Sequence, residues 1–188
     1  KSDSDSQQQG KTDDMEALST DSIVVSSFQA LGSKYSHNED SLFVFHSKLL
    51  TDEKESDFGI FIIGDGMGGH ASGEIASGLA VRLMAEKVFR NLYLPLLLPE
   101  NLSNLPPIQE VLENAVKEVN HSVFQKVPEG GTTLTAVITY GDSFFISQIG
   151  DSRAYLIKES EEIEQLTEDQ TLVQRLISMG QFTKEEAR

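Results

Sequence analysis

The residues with the most chemical content in this chain are carboxylates set beside glycines. The segment Phe58-Gly-Ile-Phe-Ile-Ile-Gly-Asp-Gly-Met-Gly-Gly-His-Ala-Ser-Gly-Glu74 carries a short apolar run into Asp65 and then into a glycine-dense turn that opens a helix. Asp65 can offer carboxylate oxygens, and Gly66, Gly68 and Gly69 let backbone carbonyls approach an ion with no Cβ in the way. Such donors suit a hard divalent cation, Mg²⁺ or Mn²⁺. An isolated Asp-Gly is in most chains only a turn, so the pair assigns nothing unaided. A phosphate-binding P-loop fits less well, because no Gly-Lys-Ser or Gly-Lys-Thr follows the glycines.

Two more acidic turns stand apart from this one in sequence. Asn38-Glu39-Asp40 puts adjacent carboxylates at the mouth of a strand, where one of them can reach a metal or its waters if the backbone turns or bulges. Gly150-Asp151-Ser152-Arg153 lies between two further strand-like runs. Taken singly, the first reads as a solvated acidic turn and the second as a hairpin. The histidines at 37, 46, 70 and 121 show no metal-ligand spacing, and no Gly-x-Ser-x-Gly nucleophile elbow occurs.

The elements that must position these turns follow from hydrophobic period. Ser22 to Leu31 and Ser41 to His46 read as strands, and Phe58 to Ile63 as a strand buried on both faces that ends at Gly64. From Gly73 the period lengthens to about 3.6, with Ile75, Ala76, Leu79, Ala80, Leu83, Met84 and Val88 on one stripe of a helix. A proline-punctuated connection over Asn91 to Pro107 precedes a second helix with Ile108, Leu112, Ala115, Val119 and Val123 on one face. Thr132 to Tyr140, Ser143 to Ile149 and Arg153 to Ile157 then read as three strands of an antiparallel meander. The acidic run Glu159 to Glu168 reads as a solvated hairpin edge, and a short helix around Leu172 to Ile177 stops at Gly180. Thr183 with Glu186 is a capping-box pair for a further helix that the chain does not complete, so it reads as cut. Strands, two helices and strands again predict an α+β sandwich over a parallel sheet.

Composition narrows the function classes. The chain has 188 residues, 38% hydrophobic, enough for one core behind a polar, acidic tail over residues 1–20 that reads as disordered. No cysteine is present, which excludes thiolate zinc sites and cysteine nucleophiles. No apolar run reaches the roughly 20 residues of a membrane span, and no signal-peptide pattern precedes the strands, so a cytoplasmic, monomeric protein with no membrane partner is the expectation. A net charge of −15 without a basic cluster argues against nucleic acid. A phosphorylated substrate remains compatible with that charge only if bound cations reverse the local sign.

Taken in order, Asn38-Glu-Asp40, Gly64-Asp-Gly-Met-Gly-Gly-His70 with Gly73-Glu-Ile-Ala-Ser77, Gly131-Thr-Thr133, Gly150-Asp-Ser-Arg-Ala-Tyr155 and Leu166-Thr-Glu-Asp169 resemble the motifs of the protein phosphatase 2C family, the PPM-type metal-dependent phosphatases, and especially its bacterial members. The resemblance spans about Ser22 to Arg188, and makes residues 21–188 a partial phosphatase domain. It implies two antiparallel sheets flanked by helices, and a binuclear Mg²⁺ or Mn²⁺ centre with a possible third ion. Asp65 would bridge two ions, the Gly66 carbonyl would be a ligand, Glu39 and Asp40 would hold metal waters, and Asp151 would serve the third position. The implied activity is hydrolysis of phosphoserine and phosphothreonine in proteins by attack of a metal-activated water, a role in signal transduction. Three departures accompany the match: Lys34 and Tyr35 stand where the family carries a phosphate-binding arginine, Gln170 replaces a frequent histidine, and the later metal aspartates would lie beyond Arg188. An inactive phosphatase-like domain that binds a partner protein is the alternative.

Overall fold

The computed structural model describes residues 23–32, 37–50, 55–68, 72–98, 105–181 and 183. Its centre is an antiparallel sheet built around one long strand. β1 (Asp40–Leu50) pairs with β2 (Glu55–Gly68), β2 pairs with β4 (Leu134–Tyr140), and β4 pairs with β5 (Ser143–Ile149). The far end of β2 has a second partner, β3 (Gly130–Thr132), which joins Gly66, Met67 and Gly68. A separate two-stranded sheet is formed by β6 (Tyr155–Ile157) and β7 (Ile163–Gln165).

Side chains alternate along each strand. Phe58, Ile60 and Ile62 of β2 and Leu134, Ala136 and Ile138 of β4 are buried on the face covered by α1 (Ser72–Val88) and α3 (Ile108–Lys126). Each fully buried Ile or Phe here is worth about 1.5–3 kcal/mol of transfer free energy. The face of α1 against the sheet is lined by small residues, Gly73, Ala76, Ser77 and Ala80, so helix and sheet approach closely. That choice turns Ile75 outward, where it is 54% exposed, and corrects its place on the expected stripe.

The chain departs from the sequence expectation elsewhere too. Residues 23–32 form no strand: Val24 and Phe28 are exposed and, among the described residues, no neighbouring strand satisfies their backbone. β2 does not end at Gly64 but runs on to Gly68, because β3 supplies hydrogen bonds to its last three residues. Helical structure does not stop at Asn91 either. A π-helical turn (Phe89–Tyr93) leads into α2 (Leu94–Leu96), which contains Pro95. Leu92 and Leu96 stay in the core, and Phe45 stacks edge-on against Phe89 and Tyr93 with ring centroids 4.7 and 4.9 Å apart.

The third strand of the expected meander leaves the main sheet. Gly150 adopts φ +98°, a left-handed turn open to glycine, and the chain then builds the β6–β7 hairpin rather than extending β5. A Leu172–Ser178 helix, α4, follows, capped by the Thr171 hydroxyl accepting from the Gln174 N–H, and Gly180 beyond it has φ +71° as expected of a helix stop. Among the described residues no helix is long and apolar enough to cross a membrane.

Candidate metal centre

The two acidic segments whose aspartates lie 25 and 86 residues from Asp65 in sequence, at Asp40 and Asp151, meet it at one end of the sheet. Asp40 opens β1 and lies directly opposite Asp65 in the β1–β2 register, so both carboxylates project from the same face. Asp65 lies inside β2, not in a turn, which fixes its direction by the strand's own pleat. Its backbone is held from the other side: Asp65 N–H donates to Thr133 Oγ1 at 3.0 Å, while Asp65 O accepts from Thr133 N–H at 2.9 Å and from Thr132 Oγ1 at 3.1 Å.

Glu39 is fixed by its carbonyl, which accepts from Gly66 N–H at 3.1 Å and from the Ser77 hydroxyl at 2.5 Å. Ser77 is fully buried in α1 and also contacts Ser41 Oγ at 3.1 Å. The Glu39 carboxylate rests against Gly73 in the first turn of α1, and the backbones of Gly66, Gly73 and Glu39 are so close that a Cβ on either glycine would overlap its neighbours. Glycine at 66 and 73 is thus a packing requirement of the site.

Asp151 follows β5 in a turn built from side-chain hydrogen bonds. Gln148 Nε2 donates to Gly150 O at 2.8 Å and to Ser152 O at 3.2 Å, and the Gln170 N–H donates to Gly150 O at 2.9 Å. Ser152 Oγ pairs with Thr133 Oγ1 at 2.7 Å, tying this turn to the residue that holds Asp65. Arg153 forks onto Asp169, Nε to Oδ1 at 2.7 Å and Nη2 to Oδ2 at 2.5 Å.

Negative charge accumulates around Asp65. The Asp65 pKa is raised, first by loss of water on its protein side, then by the charges of Asp40 and Asp151, by the closeness of the Asp40 carboxyl, and by Glu39. Among the described residues, no Lys, Arg or His forms an ion pair with Glu39, Asp40, Asp65 or Asp151. Four carboxylates without an ion-pair partner among the described residues favour a divalent ion between them. The donors are all hard oxygens, which suits Mg²⁺ or Mn²⁺. Among the described residues no three acidic or imidazole groups come within direct ligating reach of one point.

Of the residues singled out from the sequence, Glu39, Asp40, Asp65, Gly66 and Asp151 come together, while Lys34 and Tyr35 lie outside the described residues, as does His70. Sequence reasoning assigned no role to Ser77, Thr133, Ser152 or Gln148. The signal was there for the first three, since each sits inside a recognised motif; Gln148 had none, being one polar residue on a strand.

The protein phosphatase 2C family profile matches residues 34–185. The serine/threonine phosphatase stp of Listeria innocua is 36% identical over 157 residues, covering 80% of this chain and 56% of that protein, so the chain spans about half the length of such relatives. Among solved structures, serine/threonine phosphatase Stp1 from Staphylococcus aureus is similar with a TM-score of 0.61 at 28% identity, over 85% of this chain and 58% of that one. The catalytic domain of PstP in complex with two manganese ions matches with a TM-score of 0.51 at 29% identity, over 79% and 64%.

Proposed function

We propose, from the premise that this chain belongs to the protein phosphatase 2C family, that the protein carrying it hydrolyses phosphoserine and phosphothreonine in other proteins with the help of Mg²⁺ or Mn²⁺. The single observation that carries the reading is the convergence of Asp40, Asp151 and Glu39 on Asp65, with no ion-pair partner among the described residues. The names of the relatives support turnover over partner binding alone. The manganese ions of the PstP structure support the choice of metal.

In this reading Asp65 and the Gly66 carbonyl would hold the ions, and Asp151 would serve a third one. Glu39 and Asp40 would orient waters around them through hydrogen bonds, a task that fits the backbone fixation of Glu39 by Gly66 and Ser77 and of Asp40 by its pairing with β2. When bound, the ions supply charge neutralisation of the phosphoryl group and a water of lowered pKa. Lys34 and Tyr35, at the position of the family's arginine, are assigned to binding of the substrate phosphate in this scheme. The phosphatase part starts near residue 21, behind a polar tail. We place the activity in a cytoplasmic, monomeric signalling enzyme, without nucleic-acid or membrane partners.

Manganese-dependent hydrolysis of a phosphothreonine peptide by the full-length protein tests the assignment. Asp65→Ala is expected to cut turnover by at least about a hundredfold, the scale on which preorganised electrostatic groups act. Activity retained in that variant would overturn the role of Asp65.

A further inference from the structure

Thr133 stands where β3 gives way to β4, and it is 2% exposed. Its hydroxyl accepts the Asp65 N–H and also hydrogen-bonds Ser152 Oγ, so one oxygen bridges the strand that carries Asp65 and the turn that carries Asp151. Its N–H closes a second bond to Asp65 O at 2.9 Å. Its methyl lies beneath Gly150: a Cβ there would sit 2.7 Å from Thr133 Cγ2 and 2.9 Å from Thr133 Cβ. The hydroxyl joins the two turns, while the methyl only fills the space beneath Gly150.

We propose that Thr133 is a positioning residue that sets the separation of Asp65 and Asp151, its hydroxyl holding both and the Ser152 hydroxyl holding only the Asp151 side. The inference rests on the metal-centre reading above and adds the element that makes two acidic positions from different strands one site. Thr133→Val keeps shape and burial but removes the shared oxygen, leaving the Asp65 N–H and Ser152 Oγ each short of a partner. Thr133→Ser keeps the oxygen and loses the methyl.

The test compares the full-length wild type with Thr133→Val, Thr133→Ser and Ser152→Ala by manganese titration calorimetry and by metal-free amide hydrogen exchange. Thr133→Val is expected to weaken Mn²⁺ binding by about ten- to a hundredfold, the usual range for a group acting through a ligand. It is also expected to speed exchange roughly tenfold at the Asp65 and Gly150 amides. Thr133→Ser should restore both, and Ser152→Ala should speed exchange at Gly150 while Asp65 stays protected. Unchanged exchange at Gly150 in Thr133→Val, wild-type manganese affinity in that variant, or a Thr133→Ser that behaves like Thr133→Val would each overturn the proposal. A wild type that takes up no Mn²⁺ would sink the metal reading instead, and the exchange data would still decide whether Thr133 links the two turns.

Discussion

Asp65 and Asp151 lie near enough for their charges to interact but are held by different physics. Asp65 belongs to a strand with Ile60 and Ile62 fully buried beneath α1, and its direction follows from the sheet register. Asp151 belongs to a turn kept in place by Gln148, Gln170 and Ser152, and beyond it the β6–β7 hairpin has no buried residue. One acidic position is backed by apolar burial, the other by a few polar contacts of roughly 1 kcal/mol each. A site built this way has a rigid half and an adjustable half. Local opening free energies should follow the same division.

The largest effect that separates the halves is expected at the core. Ile62→Ala should destabilise the protein by about 2–5 kcal/mol in denaturant unfolding, the range for a buried Ile truncation. A smaller change would mean that the strand behind Asp65 is less firmly packed than its burial indicates. Next comes Gly66→Ala, whose methyl would overlap the Glu39 and Gly73 backbones. About 1–3 kcal/mol of overpacking strain is expected, together with weakened manganese uptake by calorimetry. Wild-type stability and uptake in that variant would show that the β1–α1 seam yields.

Acidification should loosen the second half. The Arg153 guanidinium hydrogen-bonds Asp169 and holds its carboxyl below the ordinary value of 3.8. A lowered carboxylate pKa contributes stability that is present above that ordinary value and is lost as pH falls through the folded one. Amide protection around residues 166–171 should therefore decline below about pH 4, and Arg153→Gln should remove that pH dependence. The smallest effect is expected at Ile157, which is 68% exposed on β6. Ile157→Ala should change stability by less than about 0.5 kcal/mol. A loss as large as that of Ile62→Ala would end the distinction between the two halves.

Legibility from the sequence followed the same line. Helices α1 and α3 were readable because 3.6-residue periodicity over 17 and 19 residues leaves little choice. Acidic candidates at 39, 40, 65 and 151 were readable because they recur in ordered motifs. What could not be read were features that depend on a partner. The extension of β2 to Gly68 needs β3, the absence of a strand at 23–32 reflects a missing neighbour among the described residues, and the departure of β6 from the meander hinges on the left-handed Gly150. Ile75 was misplaced because periodicity gives a stripe's width but not which edge of it meets the sheet.

The order of residues by itself determined which side chains are available for chemistry, that they are oxygen donors, and which segments are apolar enough to form helices and strands, because composition and period are local properties. Tertiary structure alone decided that Asp40 stands opposite Asp65, and that the hydroxyl of Thr133 joins Asp65 to the turn of Asp151. Distance between segments remote in sequence is set by pairing register and by close backbone approach, and neither is written in any one segment.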